Sequence, residues 1–441
     1  MTGSTSAPRS LSTHAVSRRG LLAGAATVGG SSLLTSCIGS AGTTDPQGGN
    51  ASTTELTLSM GFTDAKARDA VIKVSGEYTG PKVTVNAIAT EQLRAQLSTY
   101  LTSSQPPDVI AWLAGSVARA YARDGLLLDV SDLWKGDKAC AHFSDALKQL
   151  CSDDKGKQIF VPTSYYWWSI FYKKSAFKKW GIEPPTDWEA FIKMCDKLKG
   201  MGVNPLANGI GSTPWMASGW FDYLDLRVNG AKFHRALLAG EESFTDAKVV
   251  KVMEQYKRIL PYFNKNQTSY SVQEAVTPWV QDKDAMYLVG AFITASVPKQ
   301  QQDDIDFFSV PTIDSTVPSA EEAPTDGYFA PAGGKHAGAT KDFLNYLAGP
   351  PAQQRNIELS GSSNLPTSGD VDTSKFSPLV QKGIKLLQDT KEITQFFNRD
   401  SSDDLQLTAD SALTKFIDDP SDIPASLKSW QAEAQKVFKK K

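Results

Sequence analysis

Four consecutive aromatic residues, Tyr165, Tyr166, Trp167 and Trp168, sit inside the stretch GKQIFVPTSYYWWSIFY at residues 156–172. Their chemistry is non-covalent. Flat rings stack on apolar surfaces, while the phenol hydroxyl and the indole N–H hydrogen-bond at the ring edge. Such a run is either packed core or the wall of a wet cleft. In extended chain, neighbouring side chains face opposite ways, so part of the run must point away from whatever the rest faces. Trp215 is a further candidate for stacking on a ligand, because it follows Pro214 within the Gly-, Ser- and Pro-rich residues 208–223. Trp188 lies on an apolar helical stripe and Trp220 opens a helical-looking segment, so both read as packed.

Covalent chemistry has no comparable signature. The chain carries no HExxH, GxSxG, P-loop or GxGxxG, the patterns that would mark a metalloprotease, a hydrolase nucleophile or a nucleotide site. His142, His234 and His336 are far apart without ligand spacing and read as surface or cap residues. The DDID at residues 303–306 reads as a solvated strand entry. No metal or cofactor is expected. A carboxylate pair for glycoside hydrolysis could be drawn from many Asp and Glu residues, which leaves that reaction open. Over 441 residues, 41% are hydrophobic and 21% charged, with a formal net charge of −2. That is a soluble globular profile with no basic stripe for nucleic acid. After residue 36 no apolar run is long enough to cross a bilayer.

The elements that must position these residues follow from periodicity. Residues 55–60, 82–89 and 108–113 read as strands, and 64–78 and 91–103 as the helices between them. Strand, helix, strand, helix, strand describes a wound parallel sheet. In such sheets ligands bind beyond the carboxyl ends of the strands, here residues 61–64, 90–91 and 114–116. A helix follows at 117–124. Residues 156–162 close a first lobe, and 169–173 continue as a strand into a second. A helix starts at Thr186, a cap completed by Glu189 three residues on. Residues 245–260 are amphipathic, 285–290 and 304–311 read as strands, 313–326 as an exposed loop, and 327–334 as a crossover back to the first lobe. Beyond residue 366 the chain alternates polar turns with amphipathic helices.

The N-terminus is an export signal. Residues 1–19 contain Arg9, Arg18 and Arg19 and no acidic residue, and an apolar run ending at Cys37 follows. Ser17-Arg18-Arg19-Gly20-Leu21-Leu22 resembles a twin-arginine export motif, and Leu34-Thr35-Ser36-Cys37 resembles a bacterial lipobox, in which Cys37 is lipidated. Residues 38–53 have the composition of a flexible tether. Export permits disulfides. Cys140 and Cys151 flank AHFSDALKQL; a continuous helix there would hold them too far apart to bridge, and both outcomes stay open. Cys195, on an apolar helix face, reads as a buried free thiol.

Four stretches carry a family resemblance: PDVIAWLAGSVARAYARDGLLLDVSDL, GKQIFVPTSYYWWSIFYKKSAFKKWGIEPPTDWEAF, DKDAMYLVGAF and ATKDFLNYLAG. With them the chain resembles the bacterial extracellular solute-binding proteins of ABC importers, in the carbohydrate-binding group related to maltose-binding protein. The resemblance implies an α/β, two-lobed periplasmic-binding-protein-like fold. Each lobe would be a wound sheet flanked by helices, with three crossover hinges near residues 162–163, 327–332 and 361–366. Residues 1–36 would be the signal peptide and 37–53 the lipidated tether. Lobe one would hold 54–162 and 333–362, and lobe two 163–332 and 363–441. The ligand contacts it implies are Thr63 and Asp64 after the first strand, Trp112, Gly115 and Ser116 after the third, Tyr166 after the crossover, and Trp215. Phe292 stands where many members have a stacking Trp. Trp167 joins them from the aromatic run. The implied function is a monomeric, lipid-anchored receptor on the outer face of the cell membrane. It would capture a sugar in an interlobe cleft and deliver it to membrane permease subunits without reacting with it. The alternatives are a receptor of the same fold for a polyol or peptide, and a surface glycan hydrolase.

Overall fold

The structure, a computed structural model, describes residue 49 and residues 51–439. The expected signal peptide, Cys37 and most of the tether lie outside the described residues. Among the described residues no helix is long and apolar enough to cross a membrane.

Strand β1 (Glu55–Phe62) buries Leu56, Leu58 and Met60. It pairs in parallel with β2 (Lys82–Ala89) and with β3 (Val109–Leu113). The crossovers are the helices Ala65–Gly76 and Thr90–Thr102, so the wound start expected from periodicity is present. Asp64 opens the first of them by accepting from the N–H groups of Lys66 and Ala67 at 2.8 and 3.2 Å, which satisfies donors that have no partner inside the helix. The later strands are β4 (Val161–Tyr165), β5 (Trp168–Lys173), β6 (Asn204–Ala207), β7 (Asp284–Gly290) and β8 (Ile305–Phe308). After them come β9 (Ala320–Glu322), β10 (Thr325–Phe329), β11 (Leu365–Pro366) and β12 (Glu392–Thr394).

These strands form two lobes. The first holds a six-stranded sheet in the order β11-β4-β10-β3-β1-β2, the second a four-stranded sheet in the order β6-β7-β5-β8. A short parallel pair, β12 with β9, lies apart from both. Each lobe has its own apolar core. The first gathers Leu58, Ile110, Phe160, Phe329 and Phe343, the second Phe171, Trp220, Tyr256, Met286 and Leu413. The three strands that carry the chain between lobes, β4, β10 and β11, lie side by side at one edge of the first sheet. The β4–β10 pairing shifts register between Asp326 and Gly327. A Cβ on Gly327 would sit 2.1 Å from the Val161 carbonyl oxygen, so the backbones approach closely enough there to demand glycine.

Several expectations change. The helix at residues 188–200 (Trp188–Gly200) is capped by Asp187, whose carboxylate accepts from the Ala190 N–H at 2.9 Å, and not by Thr186. Glu189 instead forms a two-pronged pair with Arg258. The polar stretch 313–326 is not all exposed loop, because β9 runs through it with Glu321 and Glu322 buried. Between Cys140 and Cys151 the chain is a 3-10 turn (Ala139–His142) and a short helix (Asp145–Leu150), and both thiols are free and buried, as is Cys195. Among the histidines, His142 is exposed and His336 meets Asp108 at 2.8 Å just before a helix, but His234 is fully buried.

Asp284, at the start of β7, is 1% exposed and its Oδ1 accepts from Asn204 at 2.8 Å. Burial pushes its carboxyl up to about 6 from an ordinary 3.8. The folded state therefore binds this proton more tightly than the unfolded state, and stability from this group falls as pH rises from about 4 to 6. Asp284→Asn, which keeps the shape of the protonated acid, is expected to raise stability by up to about 3 kcal/mol at pH 7.5. The gain should vanish near pH 3.5. Urea titrations of both proteins at the two pH values check this, and an equal effect at both would refute the assignment.

Candidate ligand-binding cleft

A cleft of about 260 Å³ lies between the lobes, beyond the carboxyl ends of β1 and β3. Its lobe-two wall is aromatic. Trp168 opens β5, Trp215 leads into the helix Met216–Val228, Phe292 lies in the 3-10 turn Ala291–Ser296, and Phe396 precedes the short helix Phe397–Asp400. Trp168 and Phe396 stack at 4.7 Å, and Trp215 meets both edge-on at 6.4 and 6.0 Å. Tyr166 meets Phe292 edge-on at 5.3 Å. Each ring is thus held by another, which fixes its plane.

The opposite wall and the floor are polar. Thr63, Asp64, Thr90 and Arg94 come from the ends of lobe-one elements, Ser164 and Asp326 from the crossing strands, and Asn356, Asn364, Asn398 and Arg399 from the later chain. Arg399 is the centre of this wall. Its Nη2 donates to Asp326 Oδ1 and, at 2.9 Å, to the Tyr166 hydroxyl. Burial opposes its charge, but Tyr166 and the Asp326 carboxylate outweigh burial and hold its pKa above the ordinary value. Burial also pushes the Tyr166 hydroxyl far above the usual phenol range, so it stays a neutral donor and acceptor at pH 7. Arg94 lies over the Trp112 ring at 5.3 Å and binds Asp403 through Nη1, while the Tyr121 hydroxyl donates to the same carboxylate at 2.6 Å. Several buried atoms here have no partner within the protein: Trp112 Nε1, Asn356 Oδ1, Asn364 Oδ1 and Arg399 Nε. Buried polar atoms are rarely left so, and all four belong to residues that line the cleft. At the rim, Ser296 Oγ donates to Asp64 Oδ2 at 2.8 Å and Lys66 Nζ to the Ala295 carbonyl at 2.7 Å. These two bonds join the lobes at the rim, as those of Arg94 and Tyr121 to Asp403 do elsewhere.

Six of the nine expected contact residues line this cleft: Thr63, Asp64, Trp112, Tyr166, Trp215 and Phe292. Trp167, Gly115 and Ser116 do not. Trp167 is fully buried against Phe307 and Phe171 and packs closely on Gly383, in the lobe-two core. The reason is parity: with Tyr166 and Trp168 facing the cleft, the residue between them must face the other way. Ser116 begins the helix Ser116–Arg123 and its Oγ accepts from Arg119 at 3.0 Å. Gly115 acts through its backbone. Its φ is +94°, and a Cβ there would lie 2.8 Å from the Arg399 carbonyl oxygen. Gly115→Ala is expected to cost roughly 2–3 kcal/mol from strain and displacement and to weaken ligand binding about tenfold through Arg399. Calorimetric melting and a binding isotherm test both halves, and unchanged values would refute it.

Sequence reasoning missed Trp168, Phe396, Arg94, Asp326 and Arg399. Alternation from Tyr166 pointed to Trp168, and an arginine set among Leu93, Leu97 and Leu101 pointed to Arg94. Phe396-Phe397-Asn398-Arg399, an aromatic pair followed by an amide and a cation, carried a fainter signal.

Comparison with known proteins agrees with this architecture. The sequence profile of the bacterial extracellular solute-binding proteins matches residues 62–354. An uncharacterized ABC transporter extracellular-binding protein of Pyrococcus horikoshii is 24% identical over 337 residues, 74% of each chain. A multiple sugar-binding protein of Streptococcus mutans is 21% identical over 68% of this chain and 73% of its own. Among solved structures, the bacterial solute receptor AcbH superposes with a TM-score of 0.82 at 29% identity. That match covers 87% of this chain and 99% of AcbH, whose structural description gives it an exclusive preference for β-D-galactopyranose. With its two lobes, its interlobe cleft and a family match over most of its length, the chain belongs to the bacterial extracellular solute-binding proteins.

Proposed function

We propose that the protein is the sugar-capturing receptor of an ABC importer, and that its ligand is a single hexopyranose of the galactose type. The observation that carries this reading is the pairing of walls. A pyranose has an apolar C–H face and a rim of hydroxyls. Trp215 and Phe292 offer ring surface to the face, braced from behind by Trp168 and Phe396, while Asp326, Asn356, Asn364 and Arg399 line the wall that would meet the rim. A few placed polar groups in an aromatic-lined cavity are the general form of a small-molecule site. The volume, about 260 Å³, falls just below the ~300–1,000 Å³ range of drug-sized pockets, which favours one ring over an extended oligosaccharide. Similarity to AcbH supports the galactose choice, and the sugar-binding relative from Streptococcus mutans supports the broader class.

The rest of the reading follows the same logic. Closure of two lobes on the ligand is a hinge motion, and the Asp64–Ser296 bond is a rim contact that closure would form. Permease subunits would then recognise the closed, liganded form. The lipobox-like Leu34–Cys37 and the basic n-region support export and lipidation at Cys37 on the outer face of the cell membrane. The hinge segments near residues 162–163, 327–332 and 361–366 would divide the chain into two lobes, with the second boundary ahead of Tyr328, because Tyr328, Phe329 and Ala330 pack in the lobe-one core and not, as expected, in lobe two. The absence of catalytic motifs supports binding without reaction.

Isothermal titration with D-galactose, D-glucose, maltose and raffinose tests the function. Saturable binding of galactose, tightest of the four, is the expected result. Silence towards all four with uptake of a polyol or peptide would replace the sugar by another solute, and cleavage of an oligosaccharide would make the protein a hydrolase.

A further inference from the structure

Behind the aromatic wall, inside lobe two, lies a second polar cluster that takes no part in the cleft. Asp222 is on the helix Met216–Val228, His234 on the helix Gly230–Ala239 and Glu322 at the end of β9, and all three are fully buried. One ligand-type atom from each lies within 4.8 Å of the others. We propose that these three residues bind a divalent metal cation of the zinc class.

Three observations carry the assignment. The first is orientation. His234 Nδ1 meets Asp225 Oδ2 at 2.9 Å, and Asp225 Oδ1 accepts from Asn229 at 2.7 Å. With its proton directed to Asp225, the ring presents the Nε2 lone pair to Asp222 Oδ1, 3.8 Å away. A carboxylate behind a histidine is the usual support of a metal-binding imidazole. Asp222 is fixed likewise, since its Oδ2 accepts from the Phe397 N–H at 2.8 Å.

The second is the state of the inward-facing atoms. Asp222 Oδ1, His234 Nε2 and both oxygens of Glu322 receive no hydrogen bond from the rest of the protein, a rare state for atoms of fully buried side chains, and the Asp222 and Glu322 carboxyls lie within hydrogen-bond reach of each other, where either an ion or a shared proton must join them. A zinc ion with bonds of about 2.0–2.1 Å holds neighbouring ligand atoms roughly 3.4 Å apart, so the His234–Asp222 pair at 3.8 Å must close by about 0.4 Å and the widest pair, within 4.8 Å, by up to about 1.4 Å. Glu322 can supply two oxygens and complete four-coordination.

The third is charge. Asp222, Asp225, Glu321 and Glu322 are buried carboxylates, and Arg227 and Arg399 are the buried cations nearest to them. Arg227 is already held by Glu321 and Arg399 by Asp326, and Asp400 adds a further carboxylate facing Glu322 and His234, so the cluster has an excess of acidic groups that a divalent cation would offset. A mixed nitrogen and carboxylate set suits zinc, cobalt or manganese better than calcium, which takes oxygen ligands. Through the Asp222–Phe397 bond, the ion would also brace the segment that presents Phe396 and Arg399 to the sugar.

A fully buried site is filled during folding, so the protein should be produced in medium supplemented with zinc, and separately with cobalt, and purified without chelator. Elemental analysis is expected to find about one ion per chain, and the cobalt form should show visible d–d absorption of a tetrahedral site. Glu322→Gln should lower the metal content at least tenfold. Less than about a tenth of an ion per chain in the wild-type protein would overturn the proposal, whether or not the variant folds. Equal metal in Glu322→Gln and wild type would overturn it too, by placing the ion elsewhere. Two protons, shared among Glu322, Asp222 and His234, could supply the same charge. Acid stabilisation of the metal-free wild-type protein that is lost in metal-free Glu322→Gln would establish that arrangement in its place, since the contribution of Asp284 is common to both. None of these outcomes depends on which sugar the cleft takes.

Discussion

Trp215→Ala is expected to weaken galactose binding about 100-fold, a loss of roughly 3 kcal/mol. The ring is 9% exposed, and what it exposes lines the cleft. Its other contacts are aromatic: the edge of Trp168 at 6.4 Å, Phe396 at 6.0 Å and Phe292 at 6.4 Å. Stacking of a flat ligand on such a ring is worth about 1–3 kcal/mol by truncation, and here the lost ring also frees Trp168 and Phe396 to tilt. Because Trp215 precedes the helix Met216–Val228 and is not at its centre, the helix should survive with a melting temperature a few degrees lower. Trp215→Phe keeps a flat face and should keep most of the affinity. Titration calorimetry on the three proteins decides the matter. A folded Trp215→Ala protein that binds galactose as tightly as wild type would remove this wall from the sugar site.

How much of this could be read from the chain depends on whether the determining contacts are near or far in sequence. The first three strands and their two helices were legible, because alternation and helical spacing act over a few residues and Leu56, Leu58, Leu93 and Leu97 are all core. The ends of those strands, and therefore Thr63, Asp64 and Trp112, followed from the sheet. Trp167, expected at the cleft, lies in the lobe-two core and Trp168 lines the cleft in its place, a distinction that alternation from Tyr166 carries within two residues. Other placements rest on distant contacts. Arg399 is defined by Tyr166, 233 positions away, and by Asp326, 73 positions away. Nothing within a turn of helix marks it out. Asp326 sat in a stretch whose polar composition suggests a loop, yet β10 carries it into the first sheet. Composition also misplaced His234. It is buried because Asp222, Asp225 and Glu322 converge on it from a neighbouring helix and a distant strand. Gly115 was singled out for its place after β3, and its place does matter, but as a gap that admits the Arg399 carbonyl.

Arg399→Met is expected to be the most damaging single change in the cleft, costing about 2–3 kcal/mol of stability, less than a fully buried pair would because Asp326 is 35% exposed, and abolishing measurable sugar binding. The guanidinium is 5% exposed and joins three parts of the chain: β10 through Asp326, the crossing segment through the Tyr166 hydroxyl, and its own helix through Asn398 at 3.1 Å. Methionine fills much of the volume and lies in the same place, so the loss reports charge and hydrogen bonds more than packing. What remains is the Asp326 carboxylate without its counter-charge, a penalty that water partly relieves because this side chain is 35% exposed. The double variant Asp326→Asn with Arg399→Met removes that stranded charge and should recover about half of the lost stability without recovering binding. Arg399→Lys keeps one positive charge but not the fork, which must reach a carboxylate and a phenol together, and it should fall between the two. Urea unfolding of the four proteins, with galactose titrations alongside, separates the effects. If the double variant is no more stable than Arg399→Met, the pair does not hold the lobes as described, and Arg399 serves the ligand alone.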